Sequence, residues 1–250
     1  MPRQVYSLFV GLTAVVMALG LARAAANQPT VAQAAGAGSI AGTVHYSGAP
    51  PERAVLQMAA DPFCVTAHAG QTVLAEQVVV NDNGTLRWTF VHVREARSGS
   101  LPVGAGGTVE LNQVACMYTP HVLGMQAGST IRVVNSDRTL HNVNVQPRNN
   151  PAFNLAQPIP GMAIERVFAN PEIMIPVRCD VHPWMQAFVG VVPHGYFAVS
   201  GEDGGFRIDG VPPGEYVLEA WHESLGAQTV NVTVRDGEAA TAEFSFGAGR

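Results

Sequence analysis

The sequence predicts an all-β protein built from β-sandwiches. Glycine and proline are frequent, with 26 and 17 residues, and only 13% of the residues are charged. Short stretches with alternating apolar side chains recur along the chain, and turn residues separate them, whereas long helical patterns are few. Short strands at regular spacing are typical of a sandwich. We therefore expect two small sandwiches, one inserted in the other or joined to it.

The N-terminus has the pattern of a signal peptide over residues 1–26. Arg3 precedes an apolar run at 7–22, and small residues follow it, which predicts cleavage after Ala24 or Ala26. The run is shorter than the roughly 20 residues that a membrane span needs. We expect an exported protein, periplasmic or otherwise extracytoplasmic, with membrane association only if this segment is retained.

Charge excludes one class of partner. Removal of residues 1–26 leaves 12 basic and 19 acidic residues, a net charge of −7. An acidic chain offers no electrostatic basis for binding nucleic acid. The next stretch, residues 27–38, is small and polar and predicts a flexible linker.

The strand patterns divide the rest of the chain into three parts. Alternating residues at 40–51 end in a Gly/Pro turn, further strand-like runs lie at 76–80 and 86–95, and a Gly/Ser-rich stretch at 98–107 marks a boundary. After residue 195 a second set of hairpin patterns begins. Between these parts, strands are predicted at 108–116, 130–136, 141–146, 163–169, 172–179 and 186–193, with a long loop at 147–162.

A metal site is indicated by Cys179, His182 and Met185, which lie within seven residues of one another. Exposed thiols pair or become oxidised outside the cytoplasm, and three cysteines leave one without a partner. A blue-copper centre takes one thiolate, two imidazoles and a weakly bound thioether. His141, at the start of a predicted strand, is the candidate for the second imidazole. Asn142 follows it and has an amide that can brace the metal loop.

The region 107–193 resembles the cupredoxins, the small blue-copper proteins such as plastocyanin, pseudoazurin and amicyanin. An Asn-containing turn leads to His-Asn-Val within 135–143, and a Cys-x-x-His-x-x-Met loop at 179–185 has the short length of the amicyanin type. The resemblance implies a cupredoxin Greek-key β-sandwich with one type 1 copper ion. Zinc is an alternative ion, but a methionine beside cysteine and histidine suits copper better. The implied ligands are His141, Cys179, His182 and Met185, with Asn142 supporting them.

Two cysteines remain once Cys179 is assigned to the metal. A disulfide between Cys64 and Cys116 would join the N-terminal part to the copper region, and closing a loop of 52 residues is worth about 4 kcal/mol. Two alternatives stay open at this point. One is a pair of free thiols, and the other is a second metal site that adds His68 and His121 to the two cysteines.

The segment 199–222 resembles the carboxypeptidase regulatory-like, or transthyretin-like, β-sandwich. Asp203-Gly204 before Phe206 and a Val-Pro-Pro-Gly turn at 211–214 carry this resemblance, and 40–51 is similar to the opening strand of the same family. The resemblance implies one such sandwich in two halves, with the copper domain inserted between them, and it implies no peptidase activity. Two separate flanking domains are the alternative. The expected halves are 39–97 and 194–250, around a copper domain at 107–193.

The function expected from these features is that of a one-electron carrier and not of an enzyme, because no nucleophile elbow or paired carboxylates stand out. Its redox partners would be a cytochrome c, a dehydrogenase or a membrane oxidoreductase. We expect His182 at the surface, with an apolar rim for docking. A non-redox scaffold or adhesion module and a copper-handling protein are the alternatives. The rim would consist of Pro183, Trp184 and either Met125 or Met162.

Overall fold

The structure is a computed structural model that describes residues 36–247. Strands make up 51% of it and helix 3%, which confirms the all-β prediction. The predicted signal peptide at 1–26 and the linker residues 27–35 lie outside the described residues. Within 36–247, no helix is both long and apolar enough to cross a membrane.

Short strands follow one another along the described chain, with one short helix near the beginning. The first elements are β1 (Gly38–Ser47), α1 (Pro62–Ala67), β2 (Phe90–Ala96), β3 (Thr108–Val114), β4 (Met117–Thr119) and β5 (Val122–Gln126). The next are β6 (Thr130–Asn135), β7 (His141–Val145), β8 (Phe153–Gln157), β9 (Ala163–Val167), β10 (Glu172–Arg178) and β11 (Gln186–Val192). The last are β12 (Phe197–Val199), β13 (Gly205–Val211), β14 (Gly214–His222), β15 (Gly226–Val234) and β16 (Ala239–Gly247).

Strands from both ends of the described chain form one unit, which we call the terminal sandwich. Its two sheets have the strand orders β13-β1-β16 and β12-β2-β14-β15. Strand β1 pairs antiparallel with β13 and parallel with β16, so the first strand lies between two strands from the C-terminal part. The core between the sheets is aliphatic and aromatic, and Tyr196, Tyr216, Phe244 and Phe246 are its largest fully buried side chains.

The strands from β3 to β11 form the second unit, the central sandwich. Its sheets have the orders β5-β11-β10-β7-β8 and β4-β3-β6-β9. Alternate residues of β3 face inward, as its burial pattern shows, and Leu111 is fully buried. Strand β11 is buried along nearly its whole length because the terminal sandwich covers its outer face.

Two glycines let the sandwiches approach closely. A Cβ atom added at Gly124 in β5 would lie 2.4 Å from the ring of Phe197, and one added at Gly190 in β11 would lie 2.6 Å from the ring of Phe90. Both phenylalanines belong to the terminal sandwich and are buried in a small apolar cluster between the two units. The missing side chains therefore make room for the aromatic rings at the interface.

Residues 54–75, which we call the cap segment, pack against the central sandwich. Val55 bridges Leu74, and these residues bring α1 over one end of the central core. Met58 and Cys64 are buried in that core. Part of the range expected to belong with the terminal sandwich, 39–97, thus contributes its apolar side chains to the other unit.

The helix α1 begins with a well-defined cap. The side chain of Asp61 accepts a hydrogen bond from the backbone N–H of Phe63 at 2.8 Å, and Pro62 occupies the first turn, where no N–H is needed. Beyond the helix, Ala69 and Gly70 adopt positive φ angles and turn the chain back. This N-cap hydrogen bond fixes the position of Asp61 at the end of the central sandwich.

Candidate metal centre

The predicted metal-binding residues lie on two connections at one end of the central sandwich. His141 is the first residue of β7, and Cys179–Met185 connect β10 to β11. Strands β7 and β10 pair antiparallel, which places the start of one beside the end of the other. The loop is closed by hydrogen bonds from Cys179 N to Met185 O at 3.3 Å and from Met185 N to His182 O at 2.9 Å.

Three donor atoms converge at this point. The Nδ1 atoms of His141 and His182 are 2.9 Å apart, and Cys179 Sγ lies 4.0 Å from the first and 3.8 Å from the second. All three side chains are buried. Met185 is buried in the same apolar core as Cys179. The structure therefore brings together two imidazoles and one thiol, and Met185 belongs to the core cluster that contains Cys179.

Each histidine is held from behind by a carboxylate. His141 Nε2 lies 2.9 Å from Asp137 Oδ2, and His182 Nε2 lies 3.0 Å from Asp61 Oδ2. An ionised carboxylate only accepts hydrogen bonds, so each Nε2 carries the proton and donates. Neutral imidazoles then present both Nδ1 lone pairs to each other at 2.9 Å, which requires a proton or a cation between them. The donor set and its orientation thus suit a metal ion.

The electrostatics of the thiol favour its ionised form. Burial raises the pKa of Cys179, but its contact with the His141 ring and hydrogen bonds from the backbone N–H groups of Asn142, Val181 and His182 lower it more, so that the net shift is downward. Thiolate is the form of cysteine that binds metals. A buried thiol with a lowered pKa fits the role of a ligand better than that of a packing residue.

The pKa values of His141 and His182 are shifted in opposite directions. Burial lowers the pKa of His141, yet its contacts with Asp137 and Cys179 outweigh this effect and raise the pKa overall. Burial also lowers the pKa of His182, and the hydrogen bond to Asp61 offsets only part of that. His182 is therefore the histidine that most readily stays neutral, as a metal ligand must.

The side-chain amide of Asn142 contacts the metal loop and its neighbours. Its Oδ1 accepts from the backbone N–H of Asp180 at 2.6 Å and of Val181 at 3.3 Å, and its Nδ2 donates to Asn154 Oδ1 at 2.7 Å. The Asp180 carboxylate also accepts from Asn144 and Asn154, and these bonds lower its pKa. One amide therefore fixes the residues that follow Cys179.

Cys64 and Cys116 form a disulfide that joins α1 to the turn between β3 and β4. The alternative second metal site is not assembled, because His68 bonds to the backbone oxygen of Ala115, and His121 bonds to Gln186 O and to Glu223. The disulfide sulfurs instead lie within 4.8 Å of a nitrogen of His182. The cross-link thus sits directly against the candidate centre.

The prediction that His182 lies at the surface is wrong. Its relative exposure is 2%, and the cap segment covers it through Asp61. Trp184 packs beside it with ring centroids 5.1 Å apart, but Met125 is fully buried in the central core and forms no rim. Neither Asp61 nor Asp137 was predicted from the sequence as part of the site. The Asp-Pro pair before Cys64 and the acid four residues before His141 are the signals that were available.

One family of domains matches the C-terminal part of the chain. The profile of the carboxypeptidase regulatory-like domain family matches residues 183–247, which confirms the resemblance predicted there. A comparison with curated proteins gives no match.

Several solved structures are similar to part of the chain. The copper-containing nitrite reductase NirK from Thermus scotoductus SA-01 shares 21% identity with a TM-score of 0.31, over 40% of this chain and 25% of that one. A purple cupredoxin from Nitrosopumilus maritimus shares 25% identity with a TM-score of 0.29, over 33% of this chain and 97% of that one. A Cu(I) form of a mutant amicyanin shares 20% identity with a TM-score of 0.30, over 39% and 96%. The chain thus spans a quarter of the nitrite reductase, and most of its own length lies outside each of these similarities.

Proposed function

We propose that the protein is an exported one-electron carrier with a single type 1 copper ion. The observation that carries the proposal is the convergence of two Nδ1 atoms and a thiol sulfur in a buried site whose outer imidazole nitrogens are both held by carboxylates. Copper would supply reversible one-electron chemistry between Cu(II) and Cu(I). The ligands would be His141, Cys179, His182 and Met185.

The chain's own contribution is a rigid, dry ligand cage. Asp137 and Asp61 orient the two imidazoles, and the amide of Asn142 fixes the loop that carries Cys179. A cage held from several elements resists rearrangement when the charge of its occupant changes, and such resistance favours electron exchange over ligand exchange. Burial of the donor atoms keeps bulk water away from the site.

Copper handling is less well supported by this geometry. Delivery of an ion requires its ligands to exchange with those of a partner, but His182 is buried and its outer nitrogen is engaged by Asp61. A pure scaffold role leaves a buried cluster of two histidines and a thiol without a purpose. The disulfide supports an extracytoplasmic location, where a cytochrome c, a dehydrogenase or a membrane oxidoreductase would exchange electrons with the carrier.

The test is a visible and EPR spectrum of the protein after addition of one equivalent of Cu(II). We expect an intense thiolate-to-copper band, a narrow copper hyperfine splitting and reversible reduction. Cys179→Ser should abolish the colour. His45→Gln, which alters an exposed histidine on the terminal sandwich, should leave it unchanged.

The other functions give different results. Colourless binding that is labile as Cu(I) would establish copper handling. A protein that remains indifferent to copper, with Cys179 titrating as a free thiol, would leave the scaffold role. A Cys179→Ser variant that stays blue would overturn the ligand assignment.

A further inference from the structure

The outer nitrogen of His182 is held by a residue from outside the central sandwich. Asp61 lies on the cap segment, 121 positions before His182 in the sequence. Its Oδ2 lies 3.0 Å from His182 Nε2 and accepts from Thr139 Oγ1 at 2.6 Å, while its Oδ1 accepts from Phe63 N at 2.8 Å. One carboxylate thus connects α1, the turn before β7 and the metal loop.

The two histidines differ in where their support comes from. Asp137, the partner of His141, belongs to the central sandwich and also accepts the backbone N–H groups of Ala115 and Cys116, each at 2.7 Å. Among the described residues, Asp61 is the hydrogen-bond partner of His182 Nε2. The orientation of His182 therefore depends on the cap segment, and that of His141 does not.

A carboxylate behind an imidazole does two things. It fixes the proton on Nε2, which leaves the Nδ1 lone pair free, and it holds the ring plane. Its negative charge also stabilises the more positive state of an ion bound to that ring, because charges attract more strongly where the protein partly excludes water. The side chain of Asp61 is only 18% exposed.

We propose that Asp61 is a positioning residue that orients His182 toward copper and lowers the reduction potential of the centre. This inference rests on the proposed copper function. The cap segment thereby becomes part of the redox site, although it lies outside the strands that carry the ligands. The Cys64–Cys116 disulfide holds α1, and with it Asp61, against the central sandwich.

The principal variant is Asp61→Ser. Serine keeps a side-chain oxygen that caps α1 but is too short to reach His182, so it separates the capping role from the positioning role. We expect the blue form to persist. The Cu(II)/Cu(I) equilibrium should shift at least tenfold toward Cu(I), which raises the reduction potential by at least 59 mV for one electron. Asp61→Glu, which restores a carboxylate, should bring the potential back toward that of the wild type.

The matched control is Glu243→Gln. Glu243 pairs with His45 on the terminal sandwich, and its substitution removes the same charge at a distance from the site. Its potential should equal that of the wild type. If Asp61→Ser does not fold, Asp61→Asn keeps the size of the side chain and removes its charge, and it should also raise the potential.

A second measurement needs no copper. Nitrogen-15 NMR of the histidines in the metal-free protein should show His182 with its proton on Nε2 in the wild type and a mixture of tautomers in Asp61→Ser. Absence of blue copper in the wild type would refute the carrier function and leave this result intact. Unchanged potential and unchanged tautomer in the Asp61 variants would overturn the positioning role.

Discussion

The Cys64–Cys116 disulfide should contribute a large part of the stability of the central sandwich. The perturbation is the double substitution of both cysteines by alanine. The cross-link closes a loop of 52 residues, from α1 in the cap segment to the turn after β3. Because it restricts the unfolded chain, the chain-entropy relation predicts a loss of about 4 kcal/mol at 25 °C when it is removed.

The assay is urea denaturation of the metal-free protein, followed by circular dichroism. Metal-free protein is required because bound copper would add its own binding free energy to the folded state. The midpoint should fall, and the slope should rise because an unfolded chain without the cross-link is more open to denaturant. The wild type unfolded in the presence of a thiol reductant should lose a similar free energy, which separates the cross-link from the packing of two alanines.

A loss below about 1 kcal/mol in both experiments would refute this reasoning. It would mean that the cap segment is held by its apolar contacts, or that the unfolded chain already keeps its two ends close together. A loss in the alanine variant alone would assign the effect to side-chain packing.

Three further predictions concern the axial ligand, the interface and pH. Met185→Leu should keep the blue colour and raise the potential by cyclic voltammetry, since only the weak thioether is lost; loss of colour would contradict this. Gly190→Ala should cost about 1–3 kcal/mol in urea denaturation, because the added methyl group would overlap Phe90, whereas Gly107→Ala, which has no described atom within 4 Å of the new methyl group, should cost little. Burial lowers the pKa of His222 to about 4, so the unfolded state takes up its proton first and stability should fall as pH drops from 6.5 towards 4. At pH 4.5 this amounts to about 2–3 kcal/mol relative to pH 7, and His222→Gln should lack that part of the loss.

Sequence patterns predicted the strands that have one face in a core. They did not predict strands whose existence or extent depends on pairing with a neighbouring strand. The stretch 147–162 was expected to be a loop, but it contains the short strand Phe153–Gln157, which within residues 36–247 pairs with β7 alone and lies at the edge of its sheet. The run 86–95 is broken at Trp88, where φ is +65°, so regular pairing begins at Phe90. The run 76–80 forms a single bridge, at Val80, to the part of the chain that the structure describes. Alternation alone does not show whether a partner strand is within reach.

The candidate site was likewise predicted only in part. The donors on the two loops were predicted because a metal demands particular side chains at close spacing in the chain. The carboxylates behind them were not, since Asp61 comes from a distant segment and is brought in by a cross-link and by apolar packing. The sequence also predicted an exposed His182, because loops at the end of a sandwich normally lie at the surface and the covering segment comes from a distant part of the chain.

The pairing of β1 with β16 has a consequence for the order in which the protein assembles. Ser39 pairs with Ala239, and Ser47 pairs with Gly247, so contacts of the first described strand close a loop of about two hundred residues. Among the described residues, the core of the central sandwich comes from positions 54–192, and all its strands are present before β13 and β16 are synthesised. Long-range pairing of this kind is slow, so the metal-binding unit is expected to form first and the terminal sandwich last. A chain truncated before Ala239 would leave β1 with one free edge and would remove Phe244 and Phe246 from the terminal core.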